Sequence, residues 1–182
     1  VLDGLPAIYT ESPEEAETLE ILLKDAYSEL TLHIFYTIYK DRPVIARSAK
    51  FTNKGSEDYE LETAMSLSID FPDNNFELIH LNGAWTRENH LERKSVITGV
   101  QSISSARGAS SHAHNPFMAL VRPETTEHAG EAYGFSLIYS GNFLAQIEVD
   151  TYKVTRAMIG INPFQFAWKL KQGESFQTPE AV

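Results

Sequence analysis

The chain contains no cysteine. That excludes a thiol nucleophile, a zinc–thiolate centre and a disulfide scaffold, and it fits a reducing cytoplasm. Basic residues are also few: 15 Lys and Arg stand against 25 Asp and Glu, for a net charge of −10. Nucleic acid and anionic membrane both select basic surfaces, so neither is expected as a partner. No apolar run approaches the roughly 20 residues of a membrane span, and no signal-peptide pattern opens the sequence. Internal repeats, low-complexity tracts and linkers are absent as well. At 182 residues, roughly 70% of the unfolded surface can be buried, so neither disulfide nor metal is needed to hold a core. The chain reads as one domain, residues 1–182. Its ends suggest a fragment: "VLDGLPAIY" starts on Val1 in mid-course, and "ESFQTPEAV" stops on an apolar pair that resembles the start of another strand.

What is present has a period of two. In "YELETAMSLSIDF", Tyr59, Leu61, Met65, Leu67, Ile69 and Phe71 alternate with Glu60, Glu62, Ser66, Ser68 and Asp70. This pattern predicts one long antiparallel strand with a core face and a wet face. "LTLHIFYTIY" sets Leu30, Leu32, Ile34, Tyr36 and Ile38 on one side, while Phe35 and Tyr39 on the other call for a second cover. Turn signals punctuate the runs at Asp41-Arg42-Pro43, Asn53-Lys54-Gly55 and Pro72-Asp73-Asn74-Asn75. "YGFSLIYSGNFLAQIEVD" has the form of a hairpin about Ser140-Gly141-Asn142, and "YKVTRAMIGIN" reads as a further strand. Ten or more strands in series without crossover helices indicate an all-β sandwich. One segment dissents. Ser12 with Glu15 makes a capping box, Pro13 takes the first helical position, and Leu19, Leu22, Leu23, Ala26 and Leu30 approximate a helical stripe.

Few residues invite a chemical assignment. His112 and His114 form His-x-His, which on a strand would aim both imidazoles at one metal ion. A third ligand is not selected by any spacing, and a polar loop whose imidazoles bond to backbone outweighs the metal reading. Acidic residues are too many for a catalytic pair to stand out, and no Gly-x-Ser-x-Gly elbow exposes a nucleophile. Phe164, Phe166 and Trp168 in "GINPFQFAW" have the means to stack on sugars, yet at alternating positions in a sandwich they read first as core. "GAWTRENHLERK" carries Trp85, Arg87, His90, Glu92, Arg93 and Lys94 as a charged ladder, the mark of a solvated strand face.

Four longer stretches say more: "LIHLNGAWTRENHLER", "GVQSISSARGASSHAHNPFMAL", "YGFSLIYSGNFLAQIEVD" and "GINPFQFAWKLKQGESFQTPEAV". Together, and in order, they closely resemble the N-terminal domain of family 36 α-galactosidases, from "AETLEI" to the C-terminus. The resemblance implies a large antiparallel β-supersandwich of the galactose-mutarotase-like kind. It implies a following (β/α)8 barrel that carries two catalytic aspartates and cleaves terminal α-galactosides such as melibiose and raffinose with retention. No catalytic residue is therefore expected within this chain, and no cofactor or metal. The expected partners are the catalytic barrel and, in a homotetrameric full-length enzyme, other copies. Candidate interface residues are Trp85, Arg87, His112, His114 and Asn115; the alternative is that they only order the sandwich's own loops. Asn89 and Gln165 depart from the family's pattern, which leaves their polar contacts open. The rival class is a stand-alone carbohydrate-binding module.

The resemblance also reverses the helical reading. It predicts a hairpin with one strand from about Glu17 to Lys24, a turn near Asp25 to Ser28, and a strand to Tyr39. Helix propensities sum to only a few kcal/mol across such a window, and packing overrides them. As strands, Leu19, Ile21 and Leu23 would share a core face with Leu32, Ile34 and Tyr36, each contributing roughly 1.5–3 kcal/mol on burial.

Overall fold

The computed structural model describes residues 10–182, so the reading of "VLDGLPAIY" lies outside the described residues. It holds fourteen strands and no helix among them. β1 (Ala16–Lys24), β2 (Leu30–Tyr39), β3 (Ile45–Asn53) and β14 (Ser175–Gln177) form one sheet in the order β1-β2-β3-β14. β10 (Ala132–Ser136), β9 (His114–Val121), β6 (Glu77–Ala84) and β7 (Arg87–Ser95) form a second in that order. Residues beyond β14 join the two, because Ala181 bridges both Arg47 and Leu137. One broad layer results. Against it packs the sheet of β5 (Met65–Phe71), β12 (Thr155–Ile161), β11 (Phe143–Val149) and β8 (Gly99–Ser104). A side ribbon pairs β4 (Tyr59–Leu61) with β13 (Trp168–Leu170).

The core lies between the second and third sheets. β11 shows its cause plainly: Phe143, Ala145, Ile147 and Val149 are buried, and the residues between them are half-exposed. Leu67 and Phe71, Met118 and Leu120, Phe135, Ala157 and Ile159 complete the same cluster. None of its members comes from β1, β2 or β3.

The N-terminal hairpin forms within the expected bounds, and its strands pair over nine positions from Ala16 with Tyr39 to Lys24 with Thr31. Leu19 faces Tyr36, Ile21 faces Ile34 and Leu23 faces Leu32. The capping box also forms, but as an isolated turn: Ser12 N–H donates to Glu15 Oε1 at 3.1 Å, and no helix propagates from it. The expected core face is the part that differs. Leu19 is 57% exposed and Leu23 49% exposed, whereas Thr31 and Phe35 on the opposite face of β2 are buried. The first sheet overhangs the core, so what secures the hairpin is its continuous ladder through β2 into β3 rather than leucine burial.

Three further expectations are corrected. "YELETAMSLSIDF" is two strands, not one, because Tyr59–Leu61 pairs with β13 and Met65–Phe71 with β12. At the break, β12 comes so near that a Cβ on Gly160 would stand 2.6 Å from Met65 Cα. Second, "YGFSLIYSGNFLAQIEVD" is not a hairpin. β10 and β11 belong to opposite layers, and the crossing is held by Ser110 N–H on the Ser140 carbonyl (2.7 Å) and Gly108 N–H on Asn142 Oδ1 (2.6 Å). Third, the aromatics of "GINPFQFAW" are not core. Phe164 and Trp168 are exposed, and Trp168 with Phe166 leans on Phe176 at the surface.

Candidate functional site

The residues singled out in the sequence gather at one end of the second sheet, where β6 turns into β7. Gly83 is a bulge residue there, since the β6–β7 register shifts between Asn82 and Ala84. A bulge tightens the bend and lets two backbones touch. A Cβ on Gly83 would lie 2.8 Å from Glu88 Cα and nearer still to the Arg87 carbonyl oxygen. Thr86 takes a left-handed φ of 67° at the tip, and its N–H donates to Glu88 Oε1 at 3.0 Å. Trp85 is thereby held out to solvent, 81% exposed.

Behind the tip lies an open depression of about 590 Å³, lined by Asn82, Arg87, His90, Glu92 and His114 among others. Asn115 reaches the hairpin too, donating from Nδ2 to Asn89 Oδ1 at 2.6 Å. That contact settles what Asn89 does. Its φ is 62°, a conformation asparagine tolerates better than most residues, and the side chain ties β7 to the start of β9. Gln165 is also left-handed, with φ 58°, and exposed.

His112 and His114 do not share a strand face. His112 is exposed in a turn, and β9 begins only at His114. His114 instead meets His80, the ring centroids 6.0 Å apart in a T-shaped arrangement. Among the described residues no group of three or more His, Cys, Asp or Glu is placed to hold a metal ion. Arg87 and His114 thus line one depression and Asn115 bonds to Asn89 of the same hairpin, whose tip carries Trp85, while His112 stands in the adjoining turn, tethered where Gly83 N–H meets the Ala113 carbonyl at 3.1 Å.

His80 and Glu92 belong here too, although Glu92 reads in the sequence only as part of a charged ladder and no spacing selects His80. His80 is buried and brings Nε2 to 3.8 Å from Glu92 Oε2. Glu92 also accepts from Asn82 Nδ2 and pairs with Lys94 Nζ, both at 2.5 Å. Lys94 and Asn82 hold its carboxyl below the usual range. Burial pushes both imidazoles down, so His80 and His114 are neutral at pH 7. The Nδ1 atoms of both are buried without a partner among the described residues. The signal for His80 was its place in the β6 alternation, on the same face as buried Leu78. Chemically the cluster offers two neutral imidazoles, the Arg87 and Lys94 cations, the Glu92 carboxylate and an exposed indole.

This broad antiparallel supersandwich defines the class. A galactose mutarotase-like protein from Lactobacillus casei shares the fold at a TM-score of 0.50 and 12% identity, covering 94% of this chain and 70% of its own. The chain belongs to glycosyl hydrolase family 36, whose N-terminal domain matches residues 1–171. It is 57% identical over its whole length to the α-galactosidase AgaA of Geobacillus stearothermophilus, and 49% identical to α-galactosidase 1 of Pediococcus pentosaceus. The crystal structure of AgaA superposes at a TM-score of 0.97, covering 100% of this chain and 25% of AgaA. A variant of AgaA has been crystallised in complex with raffinose. The chain spans about a quarter of the length of these relatives.

Proposed function

We propose that the chain is the non-catalytic N-terminal domain of a cytoplasmic α-galactosidase that hydrolyses terminal α-D-galactosides such as melibiose and raffinose with retention. One observation carries this reading: all of the chain aligns at 57% identity with a quarter of an α-galactosidase. Retention requires two carboxylates about 5–5.5 Å apart, one attacking the anomeric carbon and one serving as acid and then base. Their place is the (β/α)8 barrel that forms the catalytic partner. The domain's own task is assembly and walling of the active-site approach. The β6–β7 tip is its contact with the rest of the enzyme: Trp85 supplies an aromatic anchor, Arg87 a fork of donors, and His112, His114 and Asn115 shape the flank. The full-length enzyme is a homo-oligomer.

The test compares two purified samples on an aryl α-galactoside. A polypeptide as long as the relatives should turn it over, and the 182-residue chain should not exceed buffer. Turnover by the short chain overturns the reading. The exposure of Phe164 and Trp168 favours a second reading, a sugar-binding module acting alone. Calorimetric binding of galactose or raffinose by the 182-residue chain would favour it over the first.

A further inference from the structure

The last residues of the chain run between two sheets and bond to both. On one side Ala181 exchanges backbone hydrogen bonds with Arg47 of β3, at 2.7 and 2.9 Å. On the other, Val182 exchanges bonds with Ser136 at the end of β10, at 2.8 and 2.9 Å, and the Ile138 N–H donates to the Glu180 carbonyl at 2.9 Å. Odd positions therefore bond to β3 and even positions to β10, as in the central strand of an antiparallel sheet.

Both flanking strands run on past Val182. β3 continues to Ile45, whose N–H and carbonyl point the same way as those of Arg47, two residues along. β10 continues to Ala132. Leu137 N–H is turned toward β9, on the Pro116 carbonyl at 3.0 Å, so alternation turns Phe135 and Tyr133 that way too. Gly134 is left facing the gap, as Ser136 does. Between the two strands lies an apolar cleft of about 360 Å³ that reaches from Val182 to Ile45, Ile69, Phe71 and Tyr133. Ile45 is 52% exposed along it, and Ile69 and Tyr133 are also exposed. The charged side chain in its wall, Arg47, is already engaged: Nε donates to Tyr36 Oη at 3.1 Å and Nη1 to the Ser66 carbonyl at 2.7 Å.

We infer that this cleft is the seat of one more strand, formed by the residues that follow Val182 in a polypeptide as long as the relatives. The inference rests on the reading of the chain as the N-terminal part of such an enzyme. The register is set by the bonds already made. Position 183 exchanges bonds with Ile45, and position 184 with Gly134. Ala181 is fully buried on the face that looks onto the core, so positions 183 and 185 share that face and are apolar. The added strand turns two partly joined sheets into one continuous layer and removes two free edges, which in an isolated domain invite pairing with other chains.

Amide hydrogen exchange followed by NMR tests this on the 182-residue chain and on the full-length polypeptide. The Ile45 and Gly134 amides should exchange roughly 100-fold or more slowly in the longer one, as edge amides entering a ladder do, while Tyr133 and Phe135 change little. Equal rates at Ile45 and Gly134 in a longer polypeptide that hydrolyses α-galactosides would overturn the inference and leave the proposed function standing. Protection without α-galactosidase activity would do the reverse. Protection that appears in the short chain only as its concentration rises would assign the cleft to a second copy, which also overturns the inference.

Discussion

Replacing Gly83 by alanine should loosen the end of the sheet that carries Trp85 and Arg87. The new methyl would stand 2.8 Å from Glu88 Cα, about 0.6 Å inside the 3.4 Å at which ordinary contact begins, and closer to the Arg87 carbonyl oxygen. Both neighbours are backbone, so no side chain can swing aside; β7 itself must retreat. Overpacking of this kind costs about 1–3 kcal/mol. For a chain of this size each kcal/mol lowers the melting temperature by about 2–4 °C, so the fall should be about 2–12 °C. Gly134→Ala is the control. Its Cβ would meet only Phe117 Cε2, at an ordinary 3.6 Å, and its φ is not left-handed. Reduced freedom of the unfolded chain should then stabilise by about 0.4–1 kcal/mol. Thermal unfolding followed by near-UV circular dichroism, with urea midpoints alongside, separates the two. A Gly83→Ala chain that melts with the parent, or a Gly134→Ala chain that melts lower than Gly83→Ala, would refute the steric account of the bulge.

Three other outcomes are expected. Asn53 is fully buried, with Nδ2 donating to the Glu57 and Leu170 carbonyls and Oδ1 accepting from Gly55 N–H; Asn53→Ala orphans all three and should cost about 3 kcal/mol or more by urea denaturation. His80 and His114 bind protons less readily folded than unfolded, so stability should fall as pH drops below the ordinary 6.5, and His80→Leu should flatten urea midpoints measured between pH 7.5 and 5.5. An unchanged slope would show that burial does not hold that imidazole neutral. Zinc at millimolar concentration should leave the melting temperature of the chain unmoved, because His112 and His114 occupy a turn and a strand rather than one face. A rise that His112→Ala abolishes would restore a metal site.

Strand existence was legible wherever one face is apolar and the other wet, as in β11, because alternation and burial have the same period. The hairpin of β1 and β2 was legible too, against a capping box and a leucine stripe. The box is a local bond pair that forms whether or not a helix follows it. Its apolar face was misjudged because alternation reports which residues share a face, never whether another layer covers it. The site was half legible. Trp85, Arg87, His114 and Asn115 do come together, through a bulge at Gly83 that nothing in the neighbouring residues announces. His80 and Glu92 were not assigned to it, because each looks ordinary until β6, β7 and β9 are placed side by side.

By itself the sequence determined the all-β class, most of the turns and, through its resemblance, the N-terminal hairpin and membership of family 36. These rest on neighbours along the chain or on long blocks of identity. Only the tertiary structure decided that "YELETAMSLSIDF" serves two sheets, that Ser140-Gly141-Asn142 crosses between layers, and that Ala181 joins β3 to β10. In each case the deciding bond is to a segment well removed along the chain: β12 and β13, the 108–110 loop, and Arg47 and Leu137 for Ala181. Period-two patterning is blind to which strand sits alongside.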